Sequence, residues 1–246
     1  MIPVIATRGL VAGYERDLPI VKGIDFTLHR GEFTAIFGPN GAGKSTLVKA
    51  LAGVVPIFDG TAELNGQEIG GLKPDRILKR GMAFVPQTEN IFVTLTIREN
   101  LQLAAAPLPK NARAPAMARM FDMFPDLARA PSRLAGSLSG GQRQMLAVAR
   151  ALLLEPSVVV LDEPSAGLSP KLIGEVFATL RRVGESGVTI LLVEQNVRAA
   201  LKIVTRGVIL VDGRLRHDAS AEALAAHPDL GSLFLGADPD RGRAVP

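Results

Sequence analysis

The sequence predicts an α/β fold: a core of alternating strands and helices, an antiparallel β layer ahead of it, and a helical subdomain inserted into it. Three observations carry that expectation. Residues 38–45 read Gly-Pro-Asn-Gly-Ala-Gly-Lys-Ser, set between an apolar strand at 32–37 and a helix at 45–52. Residues 157–161 form a short apolar, β-branched run ending in Asp162-Glu163, the pattern of a central strand buried on both faces. Between these two stretches, residues 94–155 are rich in Ala, Leu and Met and read as helices.

In chain order, residues 1–31 read as short strands with a turn at Arg30-Gly31, and Asp59-Gly60 and Asn65-Gly66 mark hairpins. This β-rich layer carries Tyr14, the single Tyr of a chain without Trp. Residues 38–45 match G-x-x-x-x-G-K-[ST] in the strand–loop–helix setting that the motif requires. Gly38, Gly41 and Gly43 let backbone N–H groups turn inward around an anion. The helix that follows adds its unsatisfied N–H groups and positive dipole end. Lys44 is then placed to reach β- and γ-phosphates, and the Ser45 hydroxyl to bind Mg²⁺. A glycine-rich turn that happens to precede a Lys is the bland alternative, and the flanking strand and helix argue against it. Farther on, Phe84-Val85-Pro86-Gln87 closes another apolar strand.

The helical stretch is broken by Pro107, Pro109, Pro115, Pro125 and Pro131, and its basic segment 104–119 reads as a solvated loop and helix face. It ends in Leu138-Ser139-Gly140-Gly141-Gln142, ahead of an amphipathic helix at 142–154 with Met145, Val148, Ala149 and Leu152 on one face. Ser139, Gly140 and Gly141 thus sit at a helix N-terminus, a second anion site distinct from the first. Two phosphate-binding ends in one chain suggest a nucleotide held between two copies. Asp162 is suited to hold Mg²⁺ directly or through water, and Glu163, pointing the other way, to orient or deprotonate an attacking water. Without residues 38–45, two solvated acids closing a strand would be the better reading. Strands and helices resume to about residue 215, with a hairpin at Asp212-Gly213, and the tail 237–246 has the composition of a disordered segment.

The ordered set of these three motifs resembles the ABC ATPases, and the resemblance spans roughly residues 4–235. It implies a P-loop NTPase core in a single domain over 1–236. The core and β layer take 1–93 and 156–236, and the helical subdomain takes 94–155. By the same resemblance ATP binds at Gly38, Pro39, Asn40, Gly41, Ala42, Gly43, Lys44, Ser45 and Thr46, with Tyr14 stacked on adenine. Ser45, Gln87 and Asp162 hold Mg²⁺, and the loop of Gln87 relays nucleotide state to a membrane partner. Ser139, Gly140, Gly141 and Gln142 reach the γ-phosphate of ATP on the opposite subunit, and residues 165–169 stand where the family has its D-loop. The partners implied are a second ATPase in a head-to-tail homo- or heterodimer, multi-span permease subunits, and a periplasmic or extracellular substrate-binding protein.

One position departs from the family pattern. Most ABC ATPases place a switch histidine after the strand that corresponds to 188–193, and this chain has Gln195 there. His29, His217 and His227 lie elsewhere in the sequence. A glutamine donates a hydrogen bond to a phosphate oxygen but carries no proton to relay, so water activation falls on Glu163. Leu-Leu-Val-Glu-Gln-Asn at 191–196, Gly-Leu-Ser-Pro at 167–170, Phe-Asp-Met-Phe-Pro at 121–125 and Gly-Ser-Leu-Phe-Leu-Gly at 231–236 resemble the ATP-binding subunits of branched-chain amino acid importers. Many relatives there carry Glu at the Gln87 position. Urea-type importers and lipopolysaccharide exporters share several of the strings, and a non-transport ABC ATPase would keep the three motifs.

Composition adds bounds. With 246 residues, 47% of them hydrophobic, the chain is long enough for a sizeable core. It has no apolar run of the ~18–20 residues that spans a bilayer and no secretory leader, from which a cytoplasmic location is expected, and the resemblance implies that it is peripheral on the inner face of the membrane. A net charge of +4, without a basic run interleaved with aromatics, argues against nucleic acid.

Overall fold

The computed structural model describes residues 3–228 and 230–234. Its elements begin with β1 (Ile5–Ala12), β2 (Val21–Leu28), β3 (Phe33–Phe37), α1 (Lys44–Leu51), β4 (Ile57–Leu64), β5 (Gln67–Glu68), α2 (Pro74–Lys79) and β6 (Met82–Val85). Four helices follow: α3 (Ile97–Ala104), α4 (Lys110–Met123), α5 (Pro125–Ala128) and α6 (Gly140–Leu152). The chain then alternates through β7 (Val158–Asp162), α7 (Pro170–Glu185), β8 (Thr189–Val193), α8 (Val197–Ala200), β9 (Arg206–Val211) and β10 (Arg214–Ser220), ending in α9 (Ala221–Ala225) and α10 (Leu230–Phe234).

A four-stranded antiparallel sheet, ordered β2-β1-β4-β5, lies beside a six-stranded sheet ordered β10-β9-β3-β8-β7-β6. In the larger sheet neighbours run parallel from β9 to β6, and β10 pairs antiparallel with β9. Every residue of β3, β7 and β8 is buried, as strands covered on both faces must be. The period of two divides their side chains between two cores. Phe37, Val159, Leu161, Ile190 and Leu192 pack with Leu146 and Val148 of α6 and Val176 and Leu180 of α7. Ile36, Val158, Val160, Leu191 and Val193 pack on the other side with Leu47, Val48 and Leu51 of α1 and with Ile5, Leu28 and Leu64 of the antiparallel sheet. Each such side chain contributes about 1.5–3 kcal/mol by leaving water. This two-sided burial packs the parallel strands between two cores up to their C-terminal edge.

The strands and helices expected at the motifs are present, with ends shifted by one or two residues. The expected turns at Arg30-Gly31, Asn65-Gly66 and Asp212-Gly213 also form, the last two with positive φ at both residues, as tight hairpins require. Asp59-Gly60 does not. It lies inside β4, where Arg8 pairs with Thr61 and Val11 with Asp59, so β1 carries one residue more than β4 across that gap. The Asp59 carboxylate accepts from the Gly60 N–H at 2.8 Å, and a Cβ at Gly60 would sit 2.4 Å from the Gly9 carbonyl oxygen. The dipeptide therefore shapes a bulge and not a hairpin. Pro115 likewise fails to break the helical stretch: it lies within α4. Its missing N–H orphans only the Asn111 carbonyl, and both residues are exposed, so water can serve that oxygen while Ala116, Met117 and Met120 stay buried. Segment 104–119 is a loop and a largely exposed helix face, as its composition indicates. The expected disordered tail, 237–246, lies outside the described residues, and no described helix is long and apolar enough to cross a membrane.

Candidate functional site

Parallel register brings the motifs to one edge of the sheet. Ile36 pairs with Val193, Asp162 with Val193, and Val85 with Leu161, so β3, β8, β7 and β6 end side by side. Their next residues are the loop 38–45, Glu194-Gln195, Glu163 and Pro86-Gln87. Ser45 and Asp162, 117 residues apart in sequence, thereby touch.

The loop from Gly38 to Gly43 closes onto α1. Gly38 cannot be replaced without moving the neighbouring strand, because a Cβ there would lie 2.1 Å from the Leu210 carbonyl oxygen. The β9–β10 turn braces the other end, with the Gly213 N–H donating to the Ala42 carbonyl at 2.9 Å. Pro39, Asn40 and Gly41 form an exposed rim, whereas Gly38, Ala42, Gly43, Lys44 and Thr46 are buried and Ser45 is half-buried. The Lys44 ammonium folds back, donating to the Gly38 carbonyl at 2.9 Å and the Pro39 carbonyl at 3.0 Å. Burial lowers its proton affinity, and Glu163, Asp162 and Glu194 oppose that fall through their charge. The Ser45 hydroxyl donates to Asp162 Oδ1 at 2.8 Å. Burial raises the Asp162 pKa, with the Ser45 hydrogen bond the main opposing effect.

Glu163 occupies the centre. Its φ of 48° is a left-handed value, fixed by its N–H donating to the Val193 carbonyl at 2.9 Å. A non-glycine residue held there costs about 1–2 kcal/mol, and such strain gathers at functional sites. Two amides converge on its carboxylate: Gln195 Nε2 donates to Oε1 at 2.7 Å and to Oε2 at 2.8 Å, and Gln87 Nε2 donates to Oε2 at 3.0 Å. Two residues that stand out in the sequence for different reasons are thus bound to a single acid.

Ser139 caps α6 in a reciprocal box: its hydroxyl accepts from the Gln142 N–H at 3.2 Å, and the Gln142 side chain accepts from the Ser139 N–H at 3.1 Å. Gly140 and Gly141 face Leu168 and Leu172, beyond Glu163 in the chain. Among the described residues no hydrogen bond joins residues 139–142 to Lys44, Asp162 or Glu163. Tyr14 lies between β1 and β2 with 62% of its surface open. The same connection carries Ile20, which abuts Gly43 of the phosphate loop.

Glu194 and the anchor of the Gln87 loop are not given a role by any motif in the sequence. Glu194 is buried between the loops after β7 and β8. The anchor consists of Asn90, which donates to the Pro86 carbonyl at 3.2 Å and to Gln144 of α6 at 3.3 Å, and Arg150, whose guanidinium lies 4.7 Å from the Phe92 ring centre and donates to the Asn90 carbonyl. The one local signal for Glu194 is an acid placed directly after five consecutive buried apolar or small residues.

The ABC transporter family matches residues 21–166. The chain is 41% identical over 233 residues to a probable branched-chain amino acid transport ATP-binding protein, LivF, of Archaeoglobus fulgidus, covering 94% of this chain and 98% of the relative. It is 36% identical to the high-affinity branched-chain amino acid transport ATP-binding protein BraG of Pseudomonas aeruginosa, covering 92% and 97%. A crystal structure of an ATP-binding cassette of an ABC transporter, in its ADP conformation, superposes with a TM-score of 0.85 at 22% identity over 96% of this chain and all of the other.

Proposed function

The chain belongs to the ABC transporter family as an ATPase subunit, and from that membership we propose that it hydrolyses ATP between two head-to-tail cassettes to drive import of branched-chain amino acids. One observation carries the hydrolytic part: the Glu163 carboxylate, held by two amides, stands beside the Ser45–Asp162 pair and the buried Lys44 at one sheet edge. In this reading residues 38–46 cradle the phosphates, Lys44 turns from its own loop carbonyls to the β- and γ-oxygens, and Glu163 takes the proton of the attacking water. Gln195 and Gln87 hold that carboxylate and the water in line. Mg²⁺ fits the donor set, since the Ser45 hydroxyl, the Asp162 carboxylate and the Gln87 amide are hard oxygen groups of the kind it accepts. When bound with the phosphates it neutralises charge developing on the transferred group.

The self-capped α6 end supports a composite site, because among the described residues 139–142 make no hydrogen bond to this chain's own phosphate loop and are left to serve a second cassette. That cassette is a copy or a paralogue. Permease subunits dock near the Gln87 loop, a substrate-binding protein delivers the cargo outside, and the chain sits on the inner membrane face. The relatives' names support branched-chain amino acids as the cargo. The test is affinity purification of the tagged chain carrying Glu163→Gln from gently solubilised membranes. Two multi-span permeases and a paralogous ATPase should accompany it, and leucine with its binding protein should stimulate ATP turnover of the wild-type complex. Stimulation by urea instead would replace the cargo, and a stable complex without membrane proteins would overturn the transport role.

Tyr14 is proposed to stack on adenine. Tyr14→Ala should weaken ATP binding about 2- to 10-fold, as loss of one aromatic stack does, with Tyr14→Phe close to wild type in a fluorescent-nucleotide competition assay. Unchanged affinity in Tyr14→Ala would move the adenine elsewhere.

A further inference from the structure

Glu194 is 1% exposed and takes no part in the steps above. Its carboxylate is fully engaged. Oε1 accepts from the Ser165 N–H at 3.0 Å, and Oε2 accepts from the Ser165 hydroxyl at 2.8 Å, the Gln195 N–H at 3.1 Å and the Asn196 N–H at 3.4 Å. Its own N–H donates to the Ile36 carbonyl at 3.2 Å, which fixes it to the end of β3. One buried acid therefore clasps two loops that lie 29 residues apart in sequence.

The first loop follows Glu163 and leads through Ser165 to Leu168, which packs against Gly140. The second carries Gln195, whose side chain donates to both Glu163 oxygens. We propose that Glu194 is a positioning residue for hydrolysis, fastening the Ser165 loop to the Gln195 turn so that the Gln195 amide is held against Glu163. Simple satisfaction of loop donors is a weaker account of the same contacts. Burying a carboxylate is costly, and in this pocket burial raises its pKa despite the donors around it. A neutral Asn or Thr meets backbone donors with less desolvation. Only a carboxylate offers two acceptor atoms that serve both loops without presenting a donor to either.

The inference rests on Glu163 and Gln195 being the hydrolytic pair, which Glu163→Gln checks independently in the same complex. Glu194→Gln keeps the volume but turns one acceptor into a donor that faces N–H or O–H groups in either orientation. In the complex that co-purifies with the tagged chain, it should lower kcat about 10- to 100-fold, the loss typical of a charge-assisted hydrogen bond, with KM for ATP within about twofold of wild type. Ser165→Ala removes only the hydroxyl and should cost about threefold. The double variant should turn over no more slowly than Glu194→Gln alone, because both act through one clasp. Glu194→Asp, which retains both acceptors, should recover part of the rate. A wild-type kcat in Glu194→Gln while Glu163→Gln is inactive would overturn the inference and leave the site assignment standing. So would strictly multiplicative losses in the double variant, or a rate loss matched by the loss of folded protein in a thermal melt. Persistent turnover in Glu163→Gln would instead remove the assignment on which the inference rests.

Discussion

Glu163→Gln is expected to lower ATP turnover about 10²- to 10⁴-fold, the range that a general base supplies, while ATP binding survives. The reason lies in the geometry around the acid. The amide has the shape of the carboxylate, and its remaining oxygen can still accept from Gln195 or Gln87; the new NH2 gives up a bond to one of these side chains and touches no bond of the phosphate loop. An amide, however, takes no proton from water. ATP should therefore bind, close the pair of cassettes and remain, and the complex should run as a larger species in size-exclusion chromatography with ATP than without it. Gln195→Ala removes a donor and not the base, so its loss should be smaller, about 10- to 100-fold, as for one hydrogen bond to a charged group. Phosphate release measured on both variants ranks the two residues. If Glu163→Gln kept most of its activity while Gln195→Ala lost all of it, the roles of base and supporting donor would have to be exchanged.

The sequence made the elements of this site legible and left their contacts hidden, for physical reasons that differ by residue. Residues 38–45 declare themselves because a phosphate loop needs glycines at fixed offsets between a strand and a helix, and all of that information is local. The two-faced burial of β7 is equally local, since the uninterrupted apolar run 158–161 leaves no polar face to expose. Asp59-Gly60 misled because an Asp-Gly pair suits a bulge as well as a turn, and only the register against β1 decides between them. Pro115 misled because its cost depends on whether the orphaned carbonyl faces water. Gln87 and Gln195 could each be singled out by position after a strand. That both close on Glu163, across 76 and 32 residues, follows only from the strand order β3-β8-β7-β6. Glu194 was the least legible, because its four partners belong to loops whose meeting no local pattern records.

Lys44→Met should abolish hydrolysis to below about one part in 10², the loss on removing one preorganised charge from a phosphoryl-transfer site, and should weaken ATP binding as well. The side chain is 4% exposed, and its ammonium is satisfied by the Gly38 and Pro39 carbonyls. Arriving phosphates offer a stronger acceptor within reach of the same atom, so binding exchanges two neutral acceptors for a charged one. Burial is the largest influence on this ammonium and disfavours its charged form, so an apolar side chain of similar length removes a desolvation cost along with two hydrogen bonds and the attraction of Glu163, Asp162 and Glu194. The melting temperature of the nucleotide-free variant should accordingly stay close to that of the wild type, whereas the rise in melting temperature on adding ATP and Mg²⁺ should shrink, since a ligand stabilises only in proportion to its affinity. Lys44→Arg sharpens the test. The planar guanidinium is bulkier than an ammonium and presents its donors in a rigid fork, so charge alone should not restore turnover. Recovery by Arg would mean that the loop opens when nucleotide binds, and the geometry of residues 38–45 would then describe only the resting state.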